Sequence, residues 1–434
     1  MKRSMFKLIP VGLALVSLVL ASSVFGNQAS AAGPVTITIW SPENRPDDAA
    51  AHKVLIDSFE AANPDIKVNL VTTSWDDHFG RLAAAKTGGG LPDLAYTWQP
   101  NTVSLIQTGF WMDISDVWTA AGGASAFPAG QAKALSMNGK YYAMPFIGYP
   151  HGLWYRTDWF KKANLTPPKT LSELLAAATK LTTKNHKGIC LFNKGLDSYY
   201  LLDLMLATGA ETFNASGKLT INSPATAKVL RFIKKVDAKK LTPIGWTAQN
   251  MDDAKLPFLA GKCAMKIDST SFMGTIVKEH PDKVSNYGFA ALPLDGGKFA
   301  GWAGASSYGI PVGASNPEAA KKFLSFMATP ANYTPFLAKE VLGFAPMLSK
   351  VALGTTLYKD PRIAPYANFL KGAAAAADKG SALVGSSDPR AAAKTSLVYN
   401  AQVYSQMVQM VVSGNPVSTV LKWAEMRMKE VIKP

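Results

Sequence analysis

The hydrophobic pattern opens with three strand-and-helix units. Val35–Trp40 reads VTITIW, rich in β-branched residues at alternating positions, and predicts a strand. A helix follows, with Val54, Leu55, Phe59 and Ala62 on one face and Asp47 and Asp48 placed to cap it. It should stop at Asn63-Pro64, because the residue before proline avoids the helical region. Ile66, Val68 and Leu70 alternate with polar residues as a second strand. A second helix carries Phe79, Leu82 and Ala83 and ends at Gly88-Gly89-Gly90. A third strand runs through Leu94-Ala95-Tyr96, and a third helix reaches Gly109. Alternation of this kind predicts an α/β fold with a mainly parallel sheet covered on both faces.

The middle of the chain repeats the style. Ser172–Leu181 and Ser198–Ala207 read as helices, Gly188–Phe192 and Lys262–Ile267 as strands. Near the C-terminus Val403, Met407, Met410 and Val411 share a helical face that Gly414 closes. Ser418 is placed to cap a last helix carrying Leu421, Trp423, Met428 and Val431. Gly372–Ser387, rich in Ala, Gly and Ser, reads as a surface loop or frayed helix. There is no internal repeat.

The first residues follow a different logic. Lys2, Arg3 and Lys7 precede a mostly apolar run from Ile9 to Phe25, and Ala29-Ser30-Ala31 offers small residues for cleavage. That order predicts a signal peptide over 1–31 and a soluble, exported chain. The run is short for a membrane anchor. No cysteine lies near the cleavage site, so no lipid tether is expected. About 400 remaining residues exceed one ordinary core and imply two domains.

The net charge of +15 falls to +12 once the three basic residues of the leader are removed. Such a balance raises nucleic acid, membrane or an anionic ligand. The lysines are scattered, however, and no basic run of five or more exists, so the charge reads as solvated surface and no nucleic-acid partner is expected. Cys190 and Cys263 each lie in a short apolar run; in an oxidising compartment they can form one disulfide or stay as buried thiols.

Catalytic signatures are missing: no G-x-S-x-G, no HExxH and no phosphate loop, with five scattered histidines. No enzyme activity, metal or cofactor is predicted. Aromatic residues in predicted loops stand out instead. In an α/β sheet, ligands sit beyond the carboxyl ends of the strands. Trp75, Trp98, Tyr149, Tyr199, Tyr200, Trp246 and Trp302 are candidates there or in neighbouring loops. Glu43, Asn44, Arg45, Asp76, Gln99, Asn101, His151, Asp197, Asp268 and Ser306 are the candidate polar partners. Ring faces can cover the C–H face of a pyranose while polar side chains pair its hydroxyls. Trp40 and Trp423 read as core.

Seven segments occur in order: FEAANPDIKV (59–68), GGGLPDL (88–94), QTGFWMDI (107–114), YYAMPFIGYPHGLWYRTDWF (141–160), FLAGKCAMKID (258–268), NPEAAKKFLSFM (316–327) and YKDPRIAPYANFLKG (358–372). Together they resemble the family 1 extracellular solute-binding proteins of ABC importers, which include maltose- and multiple-sugar-binding proteins. The resemblance implies a type II periplasmic-binding fold, two α/β lobes joined by hinge crossings that close on ligand. Carried onto this chain, it implies crossings near 145–147, 291–293 and 351–355. Lobe one is then 34–144 plus 294–350, and lobe two 148–290 plus 356–434. It further implies contacts from Glu43, Asn44 and Arg45 after strand one, from Trp98, Gln99 and Asn101, from Tyr149 and His151 past the first crossing, and from the Gly301–Gly304 turn. The stretch from Asp268 to Phe272 belongs to the same set; Ser271 and Phe272 stand where some maltose-type relatives have a tryptophan. The implied activity is capture of a carbohydrate by a monomer for ABC transporter membrane subunits. A binding protein for an anion such as a phosphorylated polyol, motivated by Arg45 and the charge, is the nearest alternative. An exported glycosidase and a signalling receptor complete the set.

Overall fold

A computed structural model describes residues 33–433, apart from 45, 196–197, 215, 293–294, 340–343, 349–354, 362, 367–368, 370–372, 374–376, 378–379 and 384–388. The leader expected at 1–31 lies outside the described residues, as do Arg45, Asp197 and much of the 372–387 segment. Among the described residues no helix is long and apolar enough to cross a membrane.

Ile37 and Ile39 are buried in the core on β1 (Val35–Ser41), while Val35 and Thr36 at its start are exposed. β1 pairs in parallel with β2 (Ile66–Thr72) and with β3 (Leu94–Trp98). The helix between β1 and β2 spans Pro46–Ala62. It begins at Pro46, before the Asp47–Asp48 pair expected as caps. Proline is pre-set for the first helical position, so both aspartates fall in the first turn of the helix rather than before it. Its end is as expected: Asn63 Nδ2 donates to the Phe59 carbonyl at 2.9 Å, and Pro64 follows. The last helix, Val417–Val431, follows Pro416 as its cap residue, which places Ser418 inside the helix rather than at its cap.

A small hairpin, β4 (Ser136–Met137) with β5 (Lys140–Tyr141), turns through Asn138-Gly139, both at positive φ. An Asn-Gly pair is the residue choice that such a two-residue turn favours. The chain then enters its longest strand, β6 (Met144–Arg156). The remaining strands are β7 (Lys187–Cys190), β8 (Cys263–Ser269), β9 (Tyr287–Ala290), β10 (Ala303–Gly309) and β11 (Ala345–Pro346).

The main sheet has the order β2-β1-β3-β10-β6-β8-β7, with β9 and β11 also on β6. β6 changes partners partway along. Residues Met144–Pro150 pair with β10, and His151–Tyr155 pair with β8. β10 and β6 run antiparallel to their neighbours, so the sheet is mixed rather than mainly parallel. The correction has a topological cause: β10 comes from late in the chain and returns between β3 and β6. Local strand-helix spacing carries no signal for such a return.

Two large apolar cores flank this sheet. One gathers Ile37, Phe59, Tyr96, Trp111, Trp118, Phe146, Tyr308 and Phe323. The other gathers Leu174, Phe192, Leu204, Val229, Ile233, Tyr404, Met407 and Leu421, largely from helices. Cys190 on β7 and Cys263 on β8 are buried and joined by a disulfide.

Candidate functional site

The partner change on β6 positions the site. Pro150 pairs with Ala303 on one side, and His151 pairs with Ser269 on the other. Tyr149 and His151 therefore flank the point where the sheet passes from one set of strands to the next. β3 delivers Trp98 at its carboxyl end, where the helix Gln99–Gln107 begins. Ser306 on β10 lies opposite Trp98. The turn before β10 supplies Trp302, whose carbonyl accepts the His151 backbone N–H at 2.8 Å.

The aromatic rings converge on Trp302. Its indole meets Trp98 edge-on at 5.4 Å, Tyr149 at 5.6 Å and His151 at 5.0 Å. Trp98 also meets Tyr399, 5.6 Å away, and His151 meets Tyr199 at 4.7 Å. Trp98, Pro100, Tyr199, Leu202, Trp302, Ser396 and Tyr399 line a narrow pocket of about 10 Å³. That is about the space of one water molecule. The helix Pro389–Asn400 closes one side, and its Ser396 Oγ donates to the Pro100 carbonyl at 3.0 Å.

Polar side chains fix these rings. Trp302 Nε1 donates to Gln99 Oε1 at 3.4 Å, Gln99 Nε2 to Gln131 Oε1 at 2.7 Å, and Gln131 Nε2 to the Ala303 carbonyl at 2.9 Å. Asp203 holds the other side: Oδ2 lies 2.7 Å from His151 Nδ1, and Oδ1 accepts the Trp302 backbone N–H at 2.9 Å. Tyr199 Oη donates to Asp268 Oδ1 at 3.3 Å. Asp268 and Lys266 form a fully buried ion pair at 2.7 Å. Burial opposes both charges. Burial is the largest single effect on Asp268 and raises it, but the Lys266 and Lys255 ammoniums, with the hydrogen bonds from Lys266 and the Ser269 backbone N–H, together hold the carboxyl below its usual range, while burial draws Lys266 down. Breaking one partner of such a pair leaves a buried uncompensated charge.

A second group adjoins the first through Ser306, whose hydroxyl donates to Tyr149 Oη at 3.4 Å. Tyr96 Oη donates to the buried Glu43 at 3.3 Å, and the half-exposed Trp75 indole meets the Tyr96 ring at 6.3 Å. Burial pushes the Tyr149 and Tyr96 phenols well above their ordinary range, so both hydroxyls stay protonated and able to donate.

The other sequence candidates sit elsewhere. Tyr200 is in the apolar core against Phe192, with its hydroxyl unpaired among the described residues. Trp246 is buried with Nε1 on Asp237 at 2.9 Å and does not join the cluster. Asn44 is exposed. Asn101, on the helix after Trp98, has a buried Oδ1 with no partner among the described residues. Ser271 precedes the helix Phe272–Glu279 and bonds Ser269 Oγ at 2.5 Å. Asp76 lies in the helix Trp75–Gly88, while Arg45 and Asp197 fall outside the described residues.

Gln131, Asp203, Ser396 and Tyr399 were not anticipated, nor were Pro100 and Leu202 of the lining or Tyr96 and Lys266 beside it. Asp203 did carry a signal. It is the one charged residue of the helix Tyr199–Thr208, every position of which is buried. A carboxylate in such a helix must find buried donors. Among the described residues no group of three or more His, Cys, Asp or Glu is arranged to hold a metal ion.

Comparison with known proteins agrees with this architecture. The family model described as bacterial extracellular solute-binding protein matches residues 42–334. The chain is 27% identical over 368 residues to an uncharacterized lipoprotein in the oleD 5' region of Streptomyces antibioticus, covering 82% of this chain and 78% of that protein. It is also 27% identical over 316 residues to the putative ABC transporter periplasmic-binding protein YcjN of Escherichia coli, covering 70% and 71%. The fold is similar to that of maltose-bound MalE3 of T. maritima, with a TM-score of 0.77, 21% identity, and coverage of 92% of this chain and 100% of that one. The match to the family model spans most of the chain, and the chain belongs to the bacterial extracellular solute-binding proteins.

Proposed function

We propose that this chain captures a carbohydrate in the pocket at the β6 crossing and delivers it to the membrane subunits of an ABC importer, without transforming it. The observation that carries the reading is the convergence of Trp98, Tyr149, Tyr199, Trp302 and Tyr399 with the amide and carboxylate groups of Gln99 and Asp203. Flat rings suit the C–H faces of a sugar, and oriented polar groups suit its hydroxyls. The similarity to a maltose-bound protein and to a putative ABC transporter binding protein supports the same reading. Export, as the leader suggests, fits the buried Cys190–Cys263 disulfide.

The lobes 34–144 plus 294–350 and 148–290 plus 356–434 are part of the proposal. The crossing placed at 145–147 lies on β6, a few residues before its partner change. A pocket of about 10 Å³ admits a sugar only if its walls part. Rotation about β6 and the other two crossings supplies that opening, and ligand held by both walls shifts the population toward closure.

Two observations favour this over the alternatives. Among the described residues none that lines the pocket is basic, and the nearby Lys266 is taken up by Asp268, which argues for a neutral ligand over an anionic one. Asp203 and Asp268 are both engaged by protein donors, which disfavours the carboxylate pair of a glycosidase. A thermal-shift screen against mono-, di- and oligosaccharides and sugar phosphates tests it. A neutral sugar should raise the melting temperature by mass action; a response to sugar phosphates alone would favour the anionic solute.

A further inference from the structure

Asp203 has no exposed surface and two donors. Its Oδ1 accepts the Trp302 backbone N–H, and its Oδ2 lies 2.7 Å from His151 Nδ1. An ionised carboxylate has no proton to give, so the proton in the second bond belongs to Nδ1. In a neutral imidazole the other nitrogen, Nε2, is then a lone-pair acceptor. Nε2 has no partner among the described residues and is not one of the sealed polar atoms there that lack one, so it keeps some exposure in an otherwise buried side chain. The ring stands between Tyr199 and Trp302, at 4.7 and 5.0 Å, and both of these line the pocket.

From this geometry we infer that Asp203 is a positioning residue that fixes the tautomer of His151, so that the site presents a hydrogen-bond acceptor at Nε2 and selects ligands that offer a hydroxyl donor there. The same carboxylate anchors the backbone of Trp302, which keeps the acceptor and the indole in one register. The step from acceptor to ligand selection rests on the capture reading. The tautomer does not.

Asp203→Asn separates the two. The carbonyl of the introduced amide would still accept the Trp302 N–H, but its NH₂ would face Nδ1. Nδ1 would then have to accept, and the proton would move to Nε2. Nitrogen-15 NMR of the whole chain with labelled histidine, ligand-free and at mildly alkaline pH, reads this directly. His151→Gln identifies the His151 signals among the five histidines. The wild type should show Nδ1 at the protonated position and Nε2 at the lone-pair position, and Asp203→Asn should exchange them. A wild-type His151 with its proton on Nε2, or on both nitrogens, overturns the inference whether or not the variant folds. So does an unchanged tautomer in a folded Asp203→Asn. Failure of the capture reading would appear separately, as wild type that binds no carbohydrate while these signals stay as described.

Discussion

Trp98 is the residue whose loss should separate binding from folding. It is partly exposed and packs edge-on against Trp302, whereas Trp302 is buried with its indole N–H already committed to Gln99. Truncating a buried tryptophan costs about 3–5 kcal/mol of stability, so Trp302→Ala confounds the two effects. Trp98→Ala should weaken ligand affinity by about ten- to a hundredfold, or about 1.4–2.8 kcal/mol, with little change in melting temperature. His78 gives a prediction of another kind. Its Nε2 lies 2.7 Å from the Tyr96 carbonyl and its Nδ1 3.0 Å from Thr73 Oγ1. Burial lowers its pKa from 6.5 to about 4. The unfolded chain therefore takes up the proton first as the pH falls. The contribution of neutral His78 is whole above pH 6.5 and is lost as the pH drops towards about 4. Melting temperatures across that window should fall less steeply in His78→Gln than in the wild type.

At the scale of elements, β7, β8 and β10 carry the consequences. The disulfide ties β7 to β8 across 73 residues of chain. Replacing both cysteines by alanine should cost about 2–4 kcal/mol in denaturant unfolding. Gly304 on β10 lies beneath the two site rings: a Cβ there would sit 2.5 Å from Tyr149 Cε2 and 2.8 Å from Trp302 Cζ2. Gly304→Ala should force both rings outward and lower ligand affinity at least tenfold, measured by calorimetry, while β10 still forms.

The first three strand-helix units were legible because apolar period, Asn63-Pro64 and the triple glycine are all local signals. Trp98 and Trp302 could be named for a related reason: each lies at a strand end or turn, and ring-rich loops are unusual; Tyr149 and His151 lie within β6, where the resemblance rather than a loop signal supports them. Their convergence was not legible, because it depends on the partner change along β6 and on the late return of β10. Tyr200 and Trp246 show the limit of composition, since the same ring chemistry serves an apolar core equally well. Tyr399 and Ser396 come from a helix far along the chain, with Ser396 lying 296 residues beyond Pro100, and no short-range pattern links them.

For the whole molecule, on the capture reading, two walls that meet across β6 close on the ligand. The helix Pro389–Asn400 touches the helix Gln99–Gln107 through Ser396 and Pro100, so on that reading ligand release would require this contact to open. Isothermal titration of the wild type and of Trp98→Ala with the same panel of neutral carbohydrates tests this most directly. The account predicts that at least one sugar saturates the wild type with micromolar or tighter affinity, about −8 kcal/mol, and binds Trp98→Ala at least tenfold more weakly. A wild type that binds none of them, or a sugar that binds both proteins equally, would contradict it.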